Sequence, residues 1–575
     1  MERAWECAQR GDAAGLAQQL AENPTSECML VQLLKVATLN AHGCVVRLLL
    51  DAKATPNITG TTRKKCKYSK LTAFQVAVGC GHLDIAALLL EAKAQLRGTR
   101  KVQSPVWLAA NYGHATMIEL LVRAGAKVND RHHLRVPLET AARGGHLEAV
   151  QTLLGAKVRI RTRPCDDIGF LCLSAAVRGG HAHVVRALAE AKADVNDNYM
   201  FVPGTDGRML GAGVPGAPGP GVKKWDLCKG VLVFGAVHCG QVDVLRALLQ
   251  YKASMDYWRH GQTVLHMAAE RGAQEDVVAL ACRAVSAATL NACAETGTGE
   301  TALHMAVARG NVRFVRSLLR CKAHVDVGRR DTGQTPLHSA LQLPLPGFGD
   351  RPSVRADVLT RILVDAKANI HKRLGPDGMA PVHLATLRTS DCGALAVLVH
   401  AKVDVNFSTY AGVTPVRVAV NHGAWHALQL LLEAKGRADV ALSADGTTPL
   451  HGALRSSPGS LLVRMLVDAK ADVDAADTGR GYTPVHVAVL LDRIEALRVL
   501  LKAKASADKA TTRRGASPLV IAARNNCLAA AKVLFSAKAD LTKASRASGD
   551  TPVQVAVSRG HVHLAALLTG SQLPF

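Results

Sequence analysis

The chain has 575 residues, of which 48% are hydrophobic, 20% charged and only 4% aromatic. It is too apolar for a disordered chain and too poor in aromatics for a large enzyme-like core, so small aliphatic side chains must do the packing. Seventy Lys+Arg against forty-six Asp+Glu leave a net charge of +24, which attracts anionic partners but does not decide the fold.

Along the chain, the first 24 residues read as a capping unit. Trp5 and Leu16 face inward, and Arg10, Asp12, Gln18 and Gln19 give a polar outer face. The early acids of Met1-Glu2-Arg3-Ala4-Trp5-Glu6 do not suit a secretory signal, and no uninterrupted apolar run reaches 18 residues. Fourteen cysteines, with no C-x-x-C spacing, suit a reducing compartment. The expected location is the cytoplasm, with the nucleus as the alternative and no transmembrane segment.

From Leu48 onward a phrase of the form Leu-Leu-x-Ala-Lys-Ala-Asp-Val recurs. Its lysines are Lys53, Lys93, Lys157, Lys192, Lys252, Lys322, Lys367, Lys402, Lys435, Lys470, Lys504 and Lys538, with Gly125 and Arg283 expected in the two missing slots. From Lys402 to Lys538 the steps are 33, 35, 34 and 34 residues. A second phrase opens each unit, as in Thr335-Pro336-Leu337-His338, Thr448-Pro449-Leu450-His451 and Thr483-Pro484-Val485-His486. The spacing predicts a helix there: Thr caps it, Pro loses nothing at the first helical position, and the residues that follow bury. The helix should close at a left-handed glycine, in Gly81-His82, Gly113-His114, Gly145-His146, Gly180-His181 and Gly560-His561. A second amphipathic helix follows, with Ile85, Leu88 and Leu89 at helical spacing.

Period and phrase together resemble the ankyrin repeat over nearly the whole chain. A tetratricopeptide array of similar period would need Trp-x-x-Leu-Gly-x-x-Tyr, which no unit supplies. The resemblance implies an all-α repeat solenoid of helix-turn-helix units with short hairpin fingers, about 15 to 16 repeats. It also implies protein binding through the finger tips and the concave face of first helices. One departure is lysine where the family has glycine after the second helix. If that residue is left-handed, lysine costs on the order of 1 kcal/mol against glycine, offset in part by a cation beside the helix C-terminus.

The rhythm is broken in three places. A basic insert between Thr55 and Lys70 holds Arg63, Lys64, Lys65, Lys67 and Lys70. A Gly/Pro-rich insert at 198–224 separates N-terminal repeats, 1–197, from C-terminal repeats, 225–575. A third insert, Pro344 to Pro352, falls between the two helices of one unit. At the far end only seven residues follow Leu568, so apolar surface is expected to remain exposed there.

No extra segment is long enough for a catalytic domain, so an enzyme is not expected. The Gly216–Lys224 stretch lacks the Gly-Lys-Ser/Thr of a phosphate loop. His266, His304, His338, His383, His451 and His486 share one repeat slot, and His82, His114, His146, His181 and His561 another. Repetition implies a structural job, so no metal and no cofactor are expected; Cys165 and Cys172 read as small buried residues.

Charge is the sharper signal. Between Thr55 and Arg163 eighteen Lys+Arg stand against six Asp+Glu, so this stretch holds +12 of the +24. With those of the first insert, Arg97, Arg100, Lys101, Arg131, Arg135, Arg159, Arg161 and Arg163 fall in fingers, which should stack into a basic strip along one edge. The expected function is a non-enzymatic scaffold holding an acidic partner protein. Nucleic acid or anionic lipid, or a role as adaptor for a larger complex, are the alternatives; sparse aromatics disfavour stacking on single strands.

Overall fold

The computed structural model describes residues 2–23, 25–59, 71–97, 104–129, 136–158, 160, 168–196, 231–259, 261–295, 297–343, 356–388, 391–442, 444–456 and 459–570. These residues form sixteen helix pairs and one short extra helix, Ala287–Leu290, divided between two compact units, Met1–Leu290 and Asn291–Phe575, with eight pairs in each. Both units are all-α repeat arrays. Within them, first helix packs on first helix and second on second. Pro518–Asn525 lies against Pro552–Ser558, and Leu528–Ser536 against Val562–Thr569.

The opening phrase works as its chemistry requires. Thr335, Thr448 and Thr483 cap their helices from extended backbone, each with proline at the start. Leu337, Leu450 and Val485 are fully buried behind them. Gly81, Gly113, Gly145, Gly180 and Gly560 close first helices at φ between +73° and +80°.

All twelve phrase lysines lie in the left-handed region, at φ from +56° to +67°, and all are exposed. Each stands just past its second helix. At Lys53, its own N–H donates to Leu50 and the Ala54 N–H to Leu49, which satisfies two of the helix's terminal carbonyls while Ala54 buries. The same pair of bonds recurs at Lys470 and Lys504. Exposed lysine beside a carbonyl-rich helix end recovers part of the left-handed penalty through charge. Lys470→Gly is therefore expected to leave stability unchanged or raise it by up to about 1 kcal/mol. A urea-midpoint loss equivalent to more than about 1 kcal/mol would assign the side chain specific contacts.

The Arg283 slot is a correction. Arg283 lies inside the helix Glu275–Ala284, which runs one residue further and leaves through Val285 in extended backbone. The Ser286 N–H then bonds to Asp256, as residues two past the phrase lysines do elsewhere, so Ala284 occupies the slot that Arg283 was expected to fill.

Glu2–Arg10 packs on Ala13–Glu22 and on Glu27–Leu39, with Leu16 fully buried, as a capping unit should. Residues 198–224 lie outside the described residues. On either side, Ile168–Gly179 packs on Val231–His238 and Ala182–Glu190 on Val242–Gln250, so stacking runs across this insert within the first unit. At the C-terminal end Val557 is 63% exposed and Val562 59%. The equivalents of Val557 in the three preceding repeats, Ala523, Val489 and Leu454, are fully buried.

Candidate partner-binding face

Fingers join each second helix to the next first helix. Among the described residues only one is a β-hairpin, Trp258–Arg259 pairing with Gln262–Thr263; isolated bridges Cys293–Thr301 and Leu374–Met379 mark two others. Three kinds of bond fix these fingers in line.

The first uses the opening histidine. The Thr335 N–H donates to His338 Nδ1 at 3.3 Å, and His338 Nε2 meets the Lys372 carbonyl of the next finger at 3.0 Å. Since an N–H can only donate and a carbonyl only accept, the ring is neutral with its proton on Nε2. His304, His383, His451 and His486 repeat this, reaching the carbonyls of Gln334, Val413, Tyr482 and Ala516 at 2.8–3.2 Å. Burial, chiefly, holds His304, His338 and His486 down to about 4 and lowers His383 and His451 as well. In one repeat Arg417 stands in this slot, buried, reaching the Thr447 carbonyl and hydroxyl, both at 2.8 Å.

A second bond uses Asn or Asp four residues past the phrase lysine. Asn57, Asn196, Asp326, Asn406, Asp474 and Asp508 each accept from an N–H of the next finger, at 2.7–2.9 Å. In the second unit a third bond joins the tips directly: Arg330 N–H to Thr298, Tyr410 N–H to Asp377, Thr478 N–H to Asp445 and Ala547 N–H to Arg514, at 3.0–3.2 Å. In the second unit the tips are thus joined by backbone in pairs, and the carboxylate and amide bonds of Asp326, Asn406 and Asp474 link one pair to the next.

Of the expected strip residues, Arg97 is described, exposed, four residues past Lys93. Arg63, Lys64, Lys65, Lys67, Lys70, Arg100, Lys101, Arg131, Arg135, Arg159, Arg161 and Arg163 lie outside the described residues, as does Cys165. The first two of these fingers are tied at their bases, where Asn57 accepts from the Gln95 N–H and donates to the Lys93 carbonyl.

The second repeated histidine slot is also structural. His42, His114, His146 and His181 direct Nε2 to the carbonyls of Gln9, Gly79, Asn111 and Arg143, at 3.0–3.2 Å. His183, two residues past His181, meets the Gly145 carbonyl at 2.9 Å. Among the described residues no cluster of three or more His, Cys, Asp or Glu is arranged to hold a metal, and no helix is long and apolar enough to cross a membrane. Cys172 is buried.

Composition hid one cluster. Arg373 stacks over the rings of Phe407, at 4.4 Å, and Tyr410, at 4.8 Å, which belong to the following finger; Tyr410 is 69% exposed. In a chain with few aromatics, two of them meeting a cation at the finger tips is a contact-rich spot. The isolated Phe and Tyr gave no sequence signal because only stacking of adjacent fingers brings Arg373 to them.

Helix pairs of this phrase and period, joined by stacked fingers, are ankyrin repeats, and the chain belongs to that family. The family model Ankyrin repeats (3 copies) matches residues 33–132, 286–347, 382–477 and 459–545, more than half of the chain. Among named relatives, the B-cell lymphoma 3 protein homolog of Mus musculus is 32% identical over 166 residues, 28% of this chain and 34% of that protein. The B-cell lymphoma 3 protein of Homo sapiens is 31% identical over 170 residues, 28% of this chain and 35% of that one. The Nuclear factor NF-kappa-B p105 subunit of Gallus gallus is 27% identical over 157 residues, 27% of this chain and 14% of its own. The chain thus spans about a third of the length of the two lymphoma proteins.

Proposed function

We propose that the protein is a non-enzymatic scaffold that holds another protein along its fingers and the concave face of its first helices. The observation that carries this reading is the row of fingers in the second unit, tied tip to tip in pairs by backbone bonds and from pair to pair by Asp326, Asn406 and Asp474, which offers side chains of successive repeats at fixed spacing. Family membership and the B-cell lymphoma 3 and p105 relatives support a protein-binding role. The most strongly perturbed groups, His304, His338 and His486, serve the stack rather than a pocket, which supports a reading without catalysis.

The basic N-terminal fingers select an acidic segment on that partner. Reversing Arg159, Arg161 and Arg163 to Glu is expected to weaken capture of the cognate partner in a pulldown at physiological salt by about tenfold or more. Unchanged capture would remove the strip from the explanation. Titration with single-stranded nucleic acid and with anionic vesicles at two salt concentrations tests the alternatives. Attraction that vanishes near physiological salt is that of net charge alone, whereas binding that persists would favour one of them.

A further inference from the structure

The last two fingers of the second unit carry a second concentration of positive charge. In residues 503–517 and 537–551 seven Lys+Arg stand against three Asp+Glu, a net +4. Two of the three acids are already engaged. Asp508 accepts from the Asp540 N–H at 2.8 Å, and Asp540 accepts from the Thr542 N–H and hydroxyl at 2.8 and 2.6 Å. Bonds from Thr542 hold the Asp540 carboxyl below the usual carboxylate range, so it stays ionised in its own finger.

The cations at the tips are placed differently. Arg513 and Arg514 lie in the turn of one finger and Arg546 in the turn of the next; all three are exposed and none is ion-paired with a described residue. Their backbones are fixed against each other. The Arg514 carbonyl accepts from both the Ala547 N–H and the Ser545 hydroxyl at 3.1 Å. Gly515, at φ +61°, lies so close to Arg546 that a Cβ on it would sit 2.3 Å from the Arg546 Cβ. Each turn is closed by the same bonds, Gly515 N–H to Thr511 and Gly549 N–H to Ser545. Three exposed arginines are therefore carried on adjoining turns of fixed backbone, with no ion-paired carboxylate among the described residues.

We propose that Arg513, Arg514 and Arg546 form a docking pad for an acidic, extended peptide segment of another protein, separate from the N-terminal strip. Guanidinium forks favour the paired oxygens of carboxylates, and side chains alternating along an extended peptide suit donors supplied by adjacent fingers. This rests on the protein-scaffold reading and adds a second, independently testable site. Nucleic acid is the weaker occupant, because no aromatic side chain lies in these two fingers to stack bases.

The test is fluorescence anisotropy on the full chain with a labelled peptide of alternating glutamate and glycine, run beside a labelled oligothymidylate. R513E/R514E/R546E is compared with R464E/K502E/K532E, which makes the same charge change on exposed positions of second helices. Circular dichroism confirms that each is folded, and R513Q/R514Q/R546Q repeats the comparison with a smaller charge change. The pad variants are expected to weaken peptide binding by about tenfold or more, the control by less than about threefold. Equal losses would mean that net charge alone attracts the peptide, and would overturn the pad. Tighter, equally arginine-dependent binding of the oligothymidylate would overturn its assignment to peptide. R159E/R161E/R163E, measured alongside, separates the sites: a loss confined to that variant sinks the pad and keeps the strip, and a loss confined to the pad variants does the reverse.

Discussion

The second unit is expected to lose stability steeply as pH falls below about 6.5, with most of the loss complete by about pH 4. His304, His338 and His486 are neutral in the folded state and held down to about 4, mainly by burial. Unfolded, the same side chains titrate near 6.5. A depressed folded value means that the unfolded state binds more protons between those limits, so stability rises with pH across that window and is fully present above it. Each of the three contributes roughly 3 kcal/mol that is gone by about pH 4, and together they approach the whole stability of an ordinary domain, about 5–15 kcal/mol. His383 and His451 add in the same direction.

The chain supplies its own control for this effect. In two repeats glutamine fills the histidine slot: Gln75 Oε1 accepts from the Thr72 N–H at 3.0 Å and Gln554 Oε1 from the Thr551 N–H at 2.8 Å. H304Q/H338Q/H486Q therefore keeps the helix cap and removes three titrating groups. Urea midpoints followed from about pH 8 to about pH 4 should fall much less in this variant than in the parent, and the difference isolates the histidines from the carboxylates. A parent midpoint that stays flat down to about pH 4.5 would show that these rings accept protons in the folded state.

Much of this was legible in the sequence, for a physical reason. A repeat that buries one helix pair against the next needs the same cap, the same closing residue and the same inward aliphatics every time, so the chain states each requirement a dozen times over. The left-handed lysines, the closing glycines and the structural histidines all follow from slots read that way. Features made between repeats were not legible. Arg373 reaches Phe407 and Tyr410 only across stacked fingers, and the turns that carry Arg513, Arg514 and Arg546 adjoin through the Arg514 carbonyl, with no phrase to announce it. Arg283 misled because the slot was placed by the lysine period; counted from the closing glycine Gly272 it lies twelve residues on, at Ala284, as Lys93 lies from Gly81 and Lys322 from Gly310.

The Gly-His junction makes the last prediction, and here a natural variant within the chain shows its mechanism. His42, His114, His146 and His181 each bond to a carbonyl two residues before a left-handed glycine, Gly11, Gly81, Gly113 or Gly145. A Cβ added to those glycines would stand 2.5–2.9 Å from the histidine ring. At the corresponding junction in another repeat the residue is Ala41, at φ +64°, and there the buried Nε2 of His82 has no partner. Glycine therefore does two jobs at this position, allowing the left-handed turn and clearing room for the next repeat's ring. Gly113→Ala is expected to pay the left-handed cost of about 1–2 kcal/mol and, by pushing His146 off the Asn111 carbonyl, about 1 kcal/mol or more beyond it. Gly125, at φ +86° with nothing within 4 Å of an added Cβ, has only the first job, so Gly125→Ala should pay the backbone cost alone. The reciprocal change, Ala41→Gly, should stabilise the protein by gaining both terms. Urea midpoints for the three variants read the differences directly: equal losses for Gly113→Ala and Gly125→Ala would mean that the histidine ring gives way freely and that the backbone term alone selects glycine.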